Sequence, residues 1–200
     1  RLAHLRLNNC NFEKFKSETF RLVRNLVELS IYWPENFHDG INNPYLFKPL
    51  THLEKLKIRG FSDFFEEIPS TIFDKLENLT HLDFSCNNLI EINSEWFSRM
   101  QKLKTLDLYN NDIVRVTKEM FRHLTNLTTL NLSDNKFNKL EDNVFSHLKN
   151  LEQLDISVNR NLPEVFDGLD NLEDLNMKTI DENFQLDVGL FQCLPRLKCV

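Results

Sequence analysis

Apolar residues recur along this chain in frames of the form L-x-x-L-x-[apolar], opening at Leu2, Leu26, Leu53, Leu79, Leu103, Leu127, Leu151 and Leu172. A second leucine follows three residues on, at Leu5, Leu29, Leu56, Leu82, Leu106, Leu130, Leu154 and Leu175. Two further on stand Leu7, Ile31, Ile58, Phe84, Leu108, Leu132, Ile156 and Met177. Apolar, polar, apolar over the last three positions is the period of a strand with one face buried. Each frame therefore predicts a short strand that directs its apolar residues inward. Successive frames open 24, 27, 26, 24, 24, 24 and 21 residues apart, and a ninth opens 25 residues later at Leu197.

A second register is unaffected by these changes of length. Phe stands six residues before each new opening, at Phe20, Phe47, Phe73, Phe97, Phe121, Phe145, Phe166 and Phe191. An apolar residue follows each by three: Val23, Leu50, Leu76, Met100, Leu124, Leu148, Leu169 and Leu194. All length variation thus falls between the strand and the Phe. The pattern predicts an aromatic spine, each ring burying roughly 2 kcal/mol of apolar surface.

One such unit cannot bury its apolar edge alone, so stability must come from stacked neighbours. Identical strands then form a parallel sheet on a concave face, and the chain returns over the convex side through irregular or short helical turns. The period is that of leucine-rich repeats. The predicted fold is α/β, a leucine-rich-repeat solenoid (horseshoe) of about eight repeats in one unit over residues 1–200. The ninth position of each repeat favours Asn or Cys, whose side chain satisfies backbone groups in the turn after the strand. Asn87, Asn111, Asn135, Asn159 and Cys10 stand there, whereas Pro34, Phe61 and Ile180 depart. The first residue sits just before a strand leucine and Val200 falls inside a strand, so the sequence reads as an uncapped fragment of a longer solenoid.

Composition then narrows the function. With 24 basic and 30 acidic residues the net charge is −6, so no nucleic-acid partner is expected. No apolar run approaches the ~18 residues of a membrane span, which leaves a membrane link only through a segment outside this sequence. Glycine-rich phosphate loops, H-E-x-x-H and C-x-x-C are all missing. The expectation is a non-enzymatic chain without cofactor or metal.

The stretch LTHLDFSCNNLIEINSEWFSRMQKLKTLDLYNNDIVRVTKEMFRHLTNLTTLNLSDNKFNKL, residues 79–140, resembles the 24-residue typical class of extracellular leucine-rich repeats. Long irregular repeats among regular ones, with a Cys in the Asn column, are most similar to a Toll or Toll-like receptor ectodomain. The resemblance implies a protein ligand of cystine-knot cytokine type or a microbial product. It further implies receptor dimerisation and signalling in immunity or development, from the extracellular side of the plasma membrane. A secreted or matrix protein for adhesion or assembly is the alternative.

Candidate contacts lie in the irregular repeats. Tyr32 and Trp33 fall where side chains leave the strand on the concave side, followed by an insertion holding Pro34, Phe37, His38, Gly40 and Pro44. Aromatics at a solenoid edge suit contact; the competing reading is a locally deformed core. Lys55, Lys57 and Arg59 make the third strand basic, set against a solvated face. The column between the inward apolars runs Arg6, Ser30, Lys57, Asp83, Asp107, Asn131, Asp155 and Asn176, basic at first and acidic from the fourth repeat. Asp83 and Asp107 are lateral neighbours there, either an acid pair or metal site or ordinary solvated carboxylates. His123 and His147 are placed on the convex turn.

Cys10 is expected to be buried and Cys86 free, while Cys193 and Cys199, six apart, are open to partners outside this window; the pairing of all four stays open. The motifs at Asn78, Asn126 and Asn131 match N-x-[ST] and are candidate glycosylation sites. Yet 24 Asn generate about this many matches by chance, and Asn78 and Asn126 share a repeat column with Asn25, Asn150 and Asn171.

Overall fold

The computed structural model describes residues 2–16, 18–60, 68–137, 139–141, 143–159, 166–178 and 188–198. Strands β1 (His4–Asn8), β2 (Glu28–Tyr32), β3 (Lys55–Arg59), β4 (His81–Asp83), β5 (Thr105–Asp107), β7 (Thr129–Asn131), β9 (Gln153–Asp155) and β10 (Asp174–Asn176) form one parallel sheet in that order. The second leucines sit side by side in register, from Leu5 beside Leu29 to Leu154 beside Leu175. A two-stranded parallel sheet pairs β6 (Arg115–Val116) with β8 (Lys139–Leu140). The return path uses short 3-10 turns, such as Ser94–Phe97 and Lys118–Phe121.

The aromatic spine is real. Phe20, Phe47, Phe73, Phe97, Phe121, Phe145 and Phe166 are buried, while Phe191 is half-buried. Phe20 stacks on Phe47 at 6.0 Å, Phe47 on Phe73 at 5.9 Å, and Phe121 on Phe145 at 6.0 Å. Near the fourth repeat Trp96 meets Phe73 edge-on and continues the aromatic contacts.

The asparagine column is a ladder of side-chain bonds. Asn111 donates from Nδ2 to the carbonyls of Phe84 and Leu108, and its Oδ1 accepts the N–H groups of Asn87 and Leu89. Asn135 donates to Leu108, Leu132 and Ser133 and accepts from Ile113 N–H. Each amide thus ties two repeats and satisfies groups that would otherwise be buried bare. Phe61 and Ile180 lie outside the described residues.

One position earlier the backbone turns left-handed in each of the first seven repeats: Asn9, Trp33, Gly60, Cys86, Asn110, Asp134 and Val158 have φ of 50, 47, 78, 60, 51, 53 and 56°. This turn puts the eighth side chain outward and lets the ninth point in. Asn, Asp and Gly suit the conformation; Trp and Val do not.

Two expectations need correction. The insertion after Trp33 is no exposed contact loop: Phe37 is buried in the five-residue helix α1 (Phe37–Ile41), and a Cβ on Gly40 would stand 3.1 Å from that of Phe12. The side chain of His38 lies outside what is described. Cys10 is half-exposed rather than buried, because the first repeat has no neighbour over it among the described residues; its thiol donates to the Asn8 carbonyl at 3.5 Å. Cys86 is a half-exposed thiol, Cys193 is half-buried, and Cys199 lies outside the described residues.

Candidate functional site

The concave floor is built by the polar columns between the inward leucines. Register places Asp83 beside Lys57 and Asp107 beside Asp83. In the regular repeats this column also ends the strand. Asp83 Oδ1 accepts from Ser85 N–H and Oγ, Asn131 Oδ1 from Ser133, and Asp155 Oδ1 from Ser157, in the same geometry. Asp is therefore favoured there as a turn-former.

Arg59 departs from the expected free cation. Its Nε donates to both carboxylate oxygens of Asp83 at 2.9 Å, and Nη2 adds a contact to Oδ2. The same Nη2 stands 3.6 Å from Asp107 Oδ2. The fork geometry of guanidinium suits this pairing. The bond to Asp83 holds the Arg59 pKa above its usual value. Burial foremost, then the Asp83 charge, raises the Asp107 carboxyl, against the Tyr109 N–H that it accepts. The two aspartates are thus bridged by an arginine, which is the structural answer to their closeness. Among the described residues no group of three or more His, Cys, Asp or Glu is placed to hold a metal.

Because Arg59 occupies Asp83, Lys57 beside it forms no ion pair among the described residues. Lys55 stands next to His81 in register, and Lys104 precedes Thr105, His81's neighbour on the other side. Burial, followed by Lys55, Lys57 and Lys104, lowers the His81 pKa, only partly offset by Glu28. His81 and Lys104 escaped the sequence reading. Both are legible in the second and third columns of the repeat, where Lys104 and His81 stand.

Tyr32 and Trp33 form the aromatic end of this surface. Their rings are 5.9 Å apart, and the Arg6 guanidinium lies over Tyr32 at 5.5 Å. Trp33 is 63% exposed and is therefore not core. Its N–H donates to the Arg59 carbonyl, and its indole covers Gly60 in the next repeat. The structure brings Tyr32, Trp33, Lys57 and Lys55 along two adjacent strands, with Arg59 engaged among them.

The three motif asparagines occupy two different settings. Asn78 and Asn126 donate from Nδ2 to the carbonyls of Thr51 and Gln101, as Asn150 and Asn171 do to Thr125 and Lys149. Asn126, Asn150 and Asn171 of this column edge a groove of about 590 Å³ that also includes Thr80, Lys102 and Lys104. Asn131 lies on the floor itself, half-buried. On the convex side, His123 Nε2 accepts from Arg122 Nε at 2.9 Å and lies 3.9 Å from Glu95. No helix among the described residues is long and apolar enough to cross a membrane.

Comparisons agree with this architecture. A comparison with curated protein sequences gives no match. Among solved structures, TLR13 in complex with the RNA ssRNA13 superposes with a TM-score of 0.81 at 28% identity, covering 98% of this chain and 28% of that one. The Drosophila Toll–Spatzle complex superposes at 0.79 with 22% identity, covering 98% of this chain and 29% of the other, and its glycosylated form at 0.80 with 24%, covering 98% and 26%. The chain therefore spans under a third of the length of these proteins, and the last two likenesses concern the fold. The family model described as leucine rich repeat matches residues 51–113 and 101–160. With a stacked parallel sheet, a buried Phe spine and an asparagine ladder beneath that match, the chain belongs to the leucine rich repeat family.

Proposed function

We propose that this chain is a ligand-binding, non-catalytic part of a Toll-like receptor ectodomain, facing the extracellular side of the plasma membrane. The observation that carries the reading is Trp33, a large aromatic displayed to solvent in a left-handed turn beside a basic strand. Such anchors concentrate binding energy at protein interfaces. Toll is in complex with Spatzle in a related structure, which favours a protein ligand; a cystine-knot cytokine or a microbial product would fit the resemblance, with dimerisation and signalling in immunity or development. TLR13 is in complex with an RNA, so the fold does not argue against nucleic acid; only the −6 charge does.

Asn78, Asn126 and Asn131 are proposed glycan acceptors. A glycan replaces one Nδ2 hydrogen, leaving Asn78 and Asn126 the other for their backbone carbonyls. A glycan on Asn131 would cover the floor toward Asp107 and Asp155 and leave β2 and β3 open. Peptide mass spectrometry of protein from a eukaryotic host tests all three.

The function itself is tested by displaying the chain on a eukaryotic cell and panning secreted proteins against it. The expected partner binds the native chain and a Leu22→Ser control on the convex turn but not Tyr32→Ala/Trp33→Ala. A partner that ignores the aromatic double variant contradicts the reading.

A further inference from the structure

We infer that the surface along β3, from Lys55 to the Trp33–Gly60 contact, receives an extended acidic segment of a protein partner. On this view an apolar side chain of the segment rests on Trp33 and its carboxylates lie against Lys55, Lys57 and Lys104. The inference rests on the proposed ligand-binding role and specifies the partner's chemistry.

Charge complementarity carries it. The chain has a net charge of −6, yet these lysines converge on His81 from both flanking strands. Lys55 and Lys57 come from β3, and Lys104 comes from the residue before β5. Among the described residues none of the three forms an ion pair. The carboxylate nearest Lys57 in register, Asp83, has both oxygens bonded to Arg59. Glu28, the register neighbour of Lys55, contacts His4 instead. Beside burial, which acts most strongly, the same three lysines lower the His81 pKa, so their charges reach one common patch. An incoming carboxylate would supply what the molecule itself does not.

The geometry fits a strand-like ligand. From Lys55 to Gly60 is about 17 Å along an extended chain, the reach of about six ligand residues. Small Ser30 on β2 leaves the floor low beside Lys57, and Trp33 stands at the far end. A continuous phosphate backbone fits less well, since Glu28, Asp83 and Asp107 flank the cations and would oppose charge repeated at every nucleotide. A peptide can space its carboxylates to avoid them.

Trp33 also makes the test local. The chain has two tryptophans, and the other, Trp96, is buried, so surface-driven changes in emission report on Trp33. The chain is titrated with a capped peptide of about eight residues alternating Glu and Phe, with its Gln counterpart, and with oligouridylate of equal length. The expected result is saturable quenching or shift by the acidic peptide. Affinity falls at least about tenfold with the Gln peptide, with K55E/K57E and with raised salt. Lys57→Gln, a milder change verified by an unaltered melting temperature, weakens binding in the same direction. No saturable response, equal binding by K55E/K57E and the native chain, or tighter binding of oligouridylate through the same lysines overturns the inference. A panned protein partner that needs Trp33 but ignores K55E/K57E would leave the ligand-binding role standing and remove only the acidic segment.

Discussion

The indole of Trp33 lies so close over Gly60 that a Cβ on the glycine would stand 2.5 Å from Trp33 Cδ1. Gly60 itself has φ +78°. One ring of the second repeat thus rests on the bare backbone of the third. Gly60→Ala should cost about 1–2 kcal/mol through left-handed strain and swing the ring off its seat. Thermal melting with Trp33 emission checks both. A variant with native stability and native emission would mean that the contact positions nothing.

Replacing Trp33 itself should matter little to the fold. Its left-handed backbone costs about 1–2 kcal/mol, and the covered part of its surface returns up to about 2 kcal/mol. These nearly cancel, so Trp33→Asn should change stability by less than about 1 kcal/mol while abolishing partner binding. Denaturant unfolding decides it. A loss near the ~3–5 kcal/mol of a buried aromatic would make Trp33 core after all.

The asparagine ladder should be far less forgiving. Asn135 donates to three carbonyls from a buried position. Asn135→Asp keeps the shape but turns a donor into a charge facing carbonyl oxygens, and should cost at least about 3 kcal/mol. A loss under about 1 kcal/mol would show that these bonds are dispensable.

Much of this fold is legible because it depends on residue type at a fixed spacing. Leu106 beside Leu130 and Phe121 on Phe145 follow from counting. The left-handed column is legible in part: Asn9, Gly60, Asn110 and Asp134 are natural occupants, while Trp33, Cys86 and Val158 conceal the rule. The site is harder. Whether Lys57 or Arg59 is free depends on which side chain reaches Asp83, a residue 24 positions from Arg59. Spacing places both cations on the floor equally; only the fork of the guanidinium selects Arg59. The insertion misleads for a similar reason, since Phe37 looks like a loop aromatic until Gly40 lets α1 press against Phe12.

Asp107 gives the fold a pH signature. Its carboxyl pKa is raised, chiefly by burial and also by Asp83. The folded state therefore keeps this proton after the unfolded chain has released it. Its contribution favours folding below the ordinary Asp pKa of about 3.9 and is lost as pH rises through the folded value. Asp107→Asn retains an oxygen for the Tyr109 N–H and removes the charge. The variant should melt higher than the native chain at neutral pH, with the gap closing near pH 4. A gap unchanged across that range contradicts the assignment.

Hydrogen exchange on the chain bound to its panned protein partner tests the central claim most directly. The account predicts new protection at Glu28–Tyr32, Trp33 and Lys55–Arg59, with Gln153–Asp155 and Asp174–Asn176 exchanging as in the free chain. Protection confined to the acidic strands β9 and β10, with β2 and β3 unchanged, would place the partner elsewhere and contradict it.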